Sequence, residues 1–157
     1  LLFNAYNAGN VLHPGYTLTQ MVDTLAGLPL LFHPGTSWEY SVATDVLGHL
    51  VELLSGQRLD EFVQTRIFDK LGMVDTGFVL PADKRPRLAA YYAGADLLNP
   101  MVPGLTPVDT WPYPGAYQQR FPKLSGGGGL VSTLGDMVKM LFDSATSAIG
   151  VKSSTAL

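Results

Sequence analysis

The sequence contains no cysteine, few charged residues and no long apolar run. The missing cysteines exclude disulfide scaffolds, cysteine nucleophiles and thiolate metal sites. Charged residues make up only 15% of the chain, the formal net charge is −3, and no Lys/Arg cluster occurs. We therefore expect no binding to nucleic acid through a basic face. No uninterrupted apolar run approaches the roughly 18 residues of a membrane helix, so we expect no membrane span.

The residues that are present indicate a folded domain with many turns. Apolar residues account for 46% of the 157 positions and charged residues for 15%, whereas disordered chains are poor in apolar residues and rich in charged ones. The 17 glycines and 11 prolines predict short elements joined by ordered loops. The chain starts with Leu1 rather than Met, so we expect it to be cut from a longer protein, and the absence of a signal-like segment favours the cytoplasm.

Two helices are predicted in the first third of the chain. Thr17 followed by Gln20 is typical of a capping box, which begins a helix that Gly27 then stops. A longer helix is predicted over residues 42–55, where apolar side chains recur at steps of three and four, and Gly56 is predicted to end it. Ser41 is placed to cap this second helix.

Two further helices are predicted nearer the end of the chain. One begins near Asp60 and ends at Gly72. The other is capped by Ser132 or Thr133 and carries apolar residues as far as Phe142. Residues 1–142 are therefore expected to form a partial, mostly helical domain, and residues 143–157, which are small and polar, a flexible tail.

Short extended segments are predicted between these helices. Residues 38–40 and 88–92 suit extended structure, and residues 73–79 a strand or loop. Residues 99–122 contain six prolines, which excludes a helix and is typical of loops that wall a binding site.

Generic catalytic and cofactor motifs are missing. The sequence has no Gly-x-Ser-x-Gly elbow, no phosphate-binding loop and no Gly-x-Gly-x-x-Gly fingerprint. The three histidines do not occur at zinc-binding spacings, and we expect neither a metal nor a cofactor.

Tyr40 stands out because it precedes the N-terminus of a predicted helix. The positive end of the helix dipole favours a phenolate there, and with a nearby lysine the phenol could serve as a general base. An aromatic at the end of an element is more often part of the core, and this alternative stays open at this point.

Three segments in order resemble the serine β-lactamase-like family, which includes class C β-lactamases, DD-peptidases and family VIII carboxylesterases. They are FHPGTSWEYSVATDVLG at residues 32–48, IFDKLGMVDTGF at residues 67–78 and SGGGGLVST at residues 125–133. The resemblance implies a mainly α (α+β) fold, the helical middle portion of that family's domain, with short strands between Met73 and Val131.

The same resemblance implies roles for individual residues. Tyr40 matches the family tyrosine that shares the proton transfer with a lysine, and Trp38 and Ser41 are implied to flank the substrate. Val42 occupies the place of an asparagine found in class C lactamases, which favours the esterase branch. The implied substrate is a small ester or lactam-like molecule.

The family nucleophile is the serine of Ser-x-x-Lys, and none of the five lysines here has a serine three residues before it. Ser37, Ser41 and Ser125 are the substitute candidates, and Ser125 is chemically the most attractive. The backbone N–H groups of Gly126 and Gly127 could form an oxyanion nest beside it, although such glycines more often serve only to turn the chain. The family's C-terminal Lys-Thr-Gly-like motif is also missing.

Two other functions compete with an esterase. The chain could be an inactive fragment that retains only the fold, or a binding module that uses the aromatic loop from Trp111 through Tyr113 to Tyr117. Without the family's sheet, an apolar face of the helices would stay exposed, and we therefore expect self-association.

Overall fold

The fold comes from a computed structural model, which describes residues 2–95, 99, 101–108 and 117–148. The chain forms two compact units. The first contains Leu1–Phe78 and Phe121–Leu157, and the second contains Val79–Arg120.

The described part of the first unit is helical. Its helices are α1 (Leu2–Ala8), α2 (Leu18–Ala26), α3 (Ala43–Ser55), α4 (Leu59–Val63), α5 (Asp69–Leu71) and α6 (Leu134–Ala148). A single π-helical segment, Gln64–Phe68, joins α4 to α5, so that the chain stays helical from Leu59 to Leu71.

The predicted helix ends are confirmed at several points. In α2 the N–H of Gln20 donates to Thr17 Oγ1 at 3.2 Å, and the N–H of Thr17 donates to Gln20 Oε1 at 2.9 Å, which completes the capping box. Gly56 ends α3 with φ 67°, and Gly72 ends α5 with φ 64°, because glycine adopts the left-handed conformation without steric cost. At the start of α6, Thr133 Oγ1 accepts the N–H of Asp136 at 3.2 Å.

Two local predictions need correction, and one helix was not predicted. The N-cap of α3 is Val42 rather than Ser41, whose Oγ instead accepts the N–H of Ala43 at 3.3 Å. Helix α1 has only two turns, too few for a periodic signal, and its Tyr6 is stabilised by tertiary packing. Helix α6 continues past Phe142 to Ala148, because neither Gly nor Pro interrupts residues 136–148.

The predicted extended segment at residues 38–40 forms no strand. Residues 149–157 of the predicted tail lie outside the described residues, and the division between residues 1–142 and 143–157 stays a prediction.

Two small apolar clusters hold the first unit together. One contains Tyr6, Val11 and Met21, which joins α1 to α2. The other contains Leu18, Leu59 and Leu124, which joins α2 and α4 to the segment just before the glycine run. Leu124 is only 2% exposed, so the chain entering residues 125–129 is anchored in the core.

A buried carboxylate connects α6 to the loop that follows α5. Asp136 Oδ2 accepts the N–H of Asp75 at 2.8 Å and the hydroxyl of Thr76 at 2.9 Å, and its Oδ1 faces Lys139 Nζ at 2.9 Å. Burial alone would raise the pKa of this carboxyl, but the hydrogen bonds from Lys139, Asp75 and Thr76 and the charge of Lys139 hold it below its usual value. Next to this cluster, Gly77 and Val131 exchange backbone hydrogen bonds.

The second unit contains a 3-10 helix (Ala82–Arg87) and two antiparallel strands, β1 (Tyr91–Gly94) and β2 (Leu105–Val108). Tyr91 pairs with Val108 and Gly94 with Leu105. Strand β1 begins three residues later than predicted, and β2 lies inside the proline-rich segment, where Pro107 is tolerated because a two-stranded sheet has only edge strands.

Among the residues that the structure describes, helices predominate and only these two short strands form, which confirms the mainly α (α+β) class with strands between Met73 and Val131. Within the same ranges, every helix is too short or too polar to cross a bilayer.

Candidate active site

The glycine run at residues 126–129 lies against the first turn of α3. A Cβ built on Gly126 would lie 2.5 Å from the carbonyl oxygen of Thr44, and one on Gly127 would lie 2.9 Å from Thr44 Oγ1. Real Cβ atoms essentially never approach other atoms this closely, so only glycine fits at these two positions without movement. Two of the three segments that carry the family resemblance therefore meet at the N-terminal end of one helix.

Close approach, rather than unusual backbone conformation, accounts for glycine at positions 126, 127 and 129. None of Gly126, Gly127, Gly128 and Gly129 has a positive φ. Gly129 donates its N–H to the Ser125 carbonyl oxygen at 3.0 Å, and a Cβ on it would lie 2.6 Å from that oxygen. Gly128 has open space around its Cβ position. Residues 126–128 form a turn without a left-handed residue, and the oxyanion nest stays a prediction.

Two backbone donors of the run are nevertheless available. Within the described ranges, the N–H groups of Gly126 and Gly127 donate no hydrogen bond, and both residues are exposed. Ser125 is half-buried, and its Oγ has no hydrogen-bond partner among the same residues. A serine hydroxyl followed by two unpaired N–H donors could contact a carbonyl group of a ligand.

Tyr40 is 70% exposed and Trp38 is 82% exposed. The alternative that Tyr40 is a core aromatic is therefore wrong. Its hydroxyl forms no hydrogen bond to another described residue, so no lysine partner for it is found there. Ser41 is half-buried and uses its Oγ to accept the N–H of Ala43.

Sequence-predicted site residues thus lie on two segments beside α3. Trp38, Tyr40 and Ser41 lie on the segment that enters the helix. Gly126 and Gly127 belong to the glycine run that contacts the first turn of α3, and Ser125 directly precedes that run. Trp111 and Tyr113, predicted to bind substrate, lie outside the described residues.

Two charged residues at this place were not predicted as part of the site. Asp45, in the first turn of α3, is only 7% exposed, and its Oδ2 lies 3.3 Å from the position of a Cβ on Gly127. Burial lowers the pKa of Lys123, and the negative charge of Asp45 partly offsets that effect. The signal in the sequence was a lone lysine two positions before Ser125 in a chain with few charges.

The described residues contain no group of three or more His, Asp or Glu side chains that could hold a metal ion. The residues at this place supply hydroxyl groups, backbone N–H donors, a phenol, the buried carboxylate of Asp45 and the half-buried Lys123.

A family model described as "Beta-lactamase" matches residues 2–155. Lovastatin esterase of Penicillium rubens is 38% identical over 124 residues, which cover 78% of this chain and 29% of that protein. Esterase EstB of Burkholderia gladioli is 43% identical over 70 residues, which cover 45% of this chain and 18% of that protein.

Among solved structures, EstCE1, described as a hydrolase with promiscuous acyltransferase activity, superposes with a TM-score of 0.71. It is 24% identical, and the match covers 88% of this chain and 37% of that one, so the likeness concerns the fold alone. The matched part of this chain thus spans less than a third of the length of either curated relative.

Proposed function

The chain belongs to the beta-lactamase family, and on that premise we propose that it acts as a serine hydrolase of the esterase branch, cleaving small esters of short acyl chains. The proposal assigns the proton transfer to Tyr40 and the contacts with the ester carbonyl to Ser125, Gly126 and Gly127. Trp38 and Ser41 flank the bound substrate.

The observation that carries this proposal is the close contact of the glycine run with the first turn of α3. Gly126 lies against the carbonyl oxygen of Thr44, four residues after Tyr40 in the chain. The exposed phenol and the two unpaired N–H groups therefore flank the same helix end. The names of two relatives, lovastatin esterase and Esterase EstB, support an ester as the substrate.

The proposed reaction has two steps. In the first, the Ser125 hydroxyl oxygen attacks the ester carbonyl carbon. The Tyr40 phenol oxygen accepts the hydroxyl proton while the phenol donates its own O–H proton to the leaving alkoxide, so that the alcohol departs and Tyr40 is a neutral phenol again. The N–H groups of Gly126 and Gly127 donate to the carbonyl oxygen while it carries negative charge. In the second, water attacks the acyl-serine, which releases the carboxylic acid and restores the hydroxyl.

Hydrolysis of p-nitrophenyl butyrate by the purified chain tests the proposal. Replacing Tyr40 by Phe should lower kcat/KM by about 10²- to 10⁴-fold, the usual contribution of a general acid–base group. Ser125→Ala should reduce the rate to that of buffer. Tyr92→Phe, which alters an exposed tyrosine of the second unit, and Ser55→Ala are matched controls that should retain activity.

Two results would count against the proposal. A wild-type rate equal to that of buffer would reject ester hydrolysis by this chain and leave a fold-only or binding role. A Tyr40→Phe variant as active as Tyr92→Phe would remove Tyr40 from the reaction. Comparison of acetate, butyrate and octanoate esters measures the proposed preference for short acyl chains.

We also propose that the chain self-associates through α6. An apolar stripe lies exposed along this helix at steps of three and four residues, and its members are Leu134, Met137, Val138, Leu141 and Phe142. Their exposed fractions range from 39% to 83%, and an apolar stripe of this kind usually packs against another surface. A second copy of the chain supplies such a surface.

A further inference from the structure

Asp136 fixes two residues of the loop that follows α5. Its Oδ2 accepts the N–H of Asp75 at 2.8 Å and the hydroxyl of Thr76 at 2.9 Å, and its Oδ1 faces Lys139 Nζ at 2.9 Å. The residue is only 2% exposed, and its own backbone N–H donates to Thr133 Oγ1. Hydrogen bonds to an ionised group are roughly twice as strong as neutral ones. Both loop residues are therefore held firmly against the first turn of α6.

The next two residues of the same loop contact the end of the glycine run. Gly77 and Val131 exchange two backbone hydrogen bonds, at 3.0 and 2.9 Å. The ring of Phe78 lies 3.0 Å from the position that a Cβ on Gly129 would occupy. Phe78 also packs against the second apolar cluster of the first unit. Residues 75–78 therefore connect α6 to the C-terminal end of the run.

Hydroxyl groups form a second connection, and the carboxylate decides its direction. Against the effect of burial, hydrogen bonds and the charge of Lys139 hold the pKa of Asp136 below its usual value, so this residue is ionised at neutral pH. An ionised carboxylate only accepts hydrogen bonds, so the single hydroxyl proton of Thr76 goes to Asp136. Ser132 Oγ, 2.8 Å from Thr76 Oγ1, is then the donor to that oxygen. The carboxylate thus orders a chain of donors that reaches the segment after the glycine run.

We propose that Asp136 is a positioning residue that holds the C-terminal end of the glycine run in place through residues 75–78. It acts on Val131 and Gly129 without touching the substrate. The N–H of Gly129 donates to the Ser125 carbonyl oxygen at 3.0 Å, so the hold extends to the proposed nucleophile. The role in catalysis rests on the proposed esterase function, whereas the hold on the run does not.

Amide hydrogen exchange of Val131 and Gly129, whose N–H groups are both hydrogen-bonded, measures the hold directly. In Asp136→Asn, the new NH2 group faces either the two loop donors or Lys139, whichever way the side chain turns. Exchange at both amides should therefore be faster by about 10- to 100-fold, the range expected when hydrogen bonds to a charged group are lost. The amide of Met21, in the other apolar cluster, should change far less.

Thr76→Val is a milder variant, because it leaves Asp136 its two other partners. It should accelerate exchange of the same two amides by a smaller factor, and Thr76→Ser, which keeps the hydroxyl, should not. Added to Asp136→Asn, Thr76→Val should have little further effect, because the hydroxyl acts through the carboxylate. Thr24→Val is the matched control. The Thr24 hydroxyl donates to the Gln20 carbonyl oxygen within α2, and its loss should leave both amides unchanged.

Three results would overturn the proposal. Equal acceleration at Met21 and Val131 would show a general loss of stability. Faster exchange at Val131 with unchanged exchange at Gly129 would show that the hold does not reach the glycine run. Additive effects of Thr76→Val and Asp136→Asn would show that the hydroxyl does not act through the carboxylate. If Asp136→Asn does not fold, Thr76→Val decides alone, and unchanged exchange at Gly129 in that variant overturns the proposal.

The p-nitrophenyl butyrate assay separates the hold from the proposed esterase function. If the wild type is active, Thr76→Val should lower kcat with little change in KM, and Thr76→Ser should retain the wild-type kcat. If the wild type is inactive, the esterase function fails, while the exchange result still decides the hold. An unchanged kcat in Thr76→Val despite faster exchange at Gly129 would overturn the positioning role.

Discussion

Alanine at position 126 would place a methyl carbon 2.5 Å from the carbonyl oxygen of Thr44. Ordinary contact begins at 3.4 Å, so one of the two segments must retreat by about 0.9 Å. Neither segment can move freely. The oxygen belongs to the first turn of α3, and the run is tied to the core through Leu124.

The magnitude follows from the cost of overpacking. Forced backbone shifts of this kind cost about 1–3 kcal/mol. A loss of about 2 kcal/mol lowers Tm by about 4–8 °C in a chain of this size. Gly126→Ala should therefore show a clear fall in the free energy of unfolding, measured by urea titration followed by circular dichroism.

Gly128→Ala is the matched control two residues away. A Cβ at Gly128 meets nothing within 4 Å, and its φ is not positive, so alanine fits there. Because alanine restricts the unfolded chain, this variant should be unchanged or more stable by about 0.4–1 kcal/mol.

Equal stabilities of the two variants would refute the claim that close contact with Thr44 requires glycine at position 126, since they would mean that the run only turns the chain. Destabilisation by Gly128→Ala alone would contradict the structure at this place. The same pair of variants also tests the site, because Gly126→Ala should lower esterase activity and Gly128→Ala should not.

Three further predictions concern the rest of the first unit. Asp136→Asn should lower the free energy of unfolding at pH 7. Because hydrogen bonds hold the pKa of Asp136 below its usual 3.8, the difference in stability from wild type should shrink as the pH falls below about 4. Urea titrations at several pH values measure this difference. Leu124→Ala should cost about 2–5 kcal/mol in the same titration, whereas Leu54→Ala, at an 84% exposed position, should cost little. Leu141→Lys should reduce self-association in light scattering, and a wild type already monodisperse as a monomer would contradict the proposed α6 contact.

Local rules were sufficient where neighbours in the chain decide the structure. The capping box at Thr17 and Gln20, and the helix ends at Gly56 and Gly72, were predicted from residues that contact each other within one turn. Local rules were insufficient for α1, which depends on the packing of Tyr6 against Val11 and Met21.

The candidate site shows the same division. The sequence identified Tyr40, Ser125 and the glycines through their resemblance to family segments, but it left open whether Tyr40 is buried and why four glycines follow one another. The close approach of Gly126 to Thr44 is a contact between segments more than eighty residues apart, and the exposure of Tyr40 is a property of the folded chain.

The sequence by itself determined the family, the helical class and most helix boundaries. Hydrophobic period and caps depend on residues within a few positions of each other, and the three segments that resemble the family can be read directly from the chain. Only the tertiary structure decided which glycines are required, which carboxylates are buried and which donors stay unpaired. Those properties are set by the distance of closest approach between α3 and the run after Leu124, and no pattern within either segment specifies that distance.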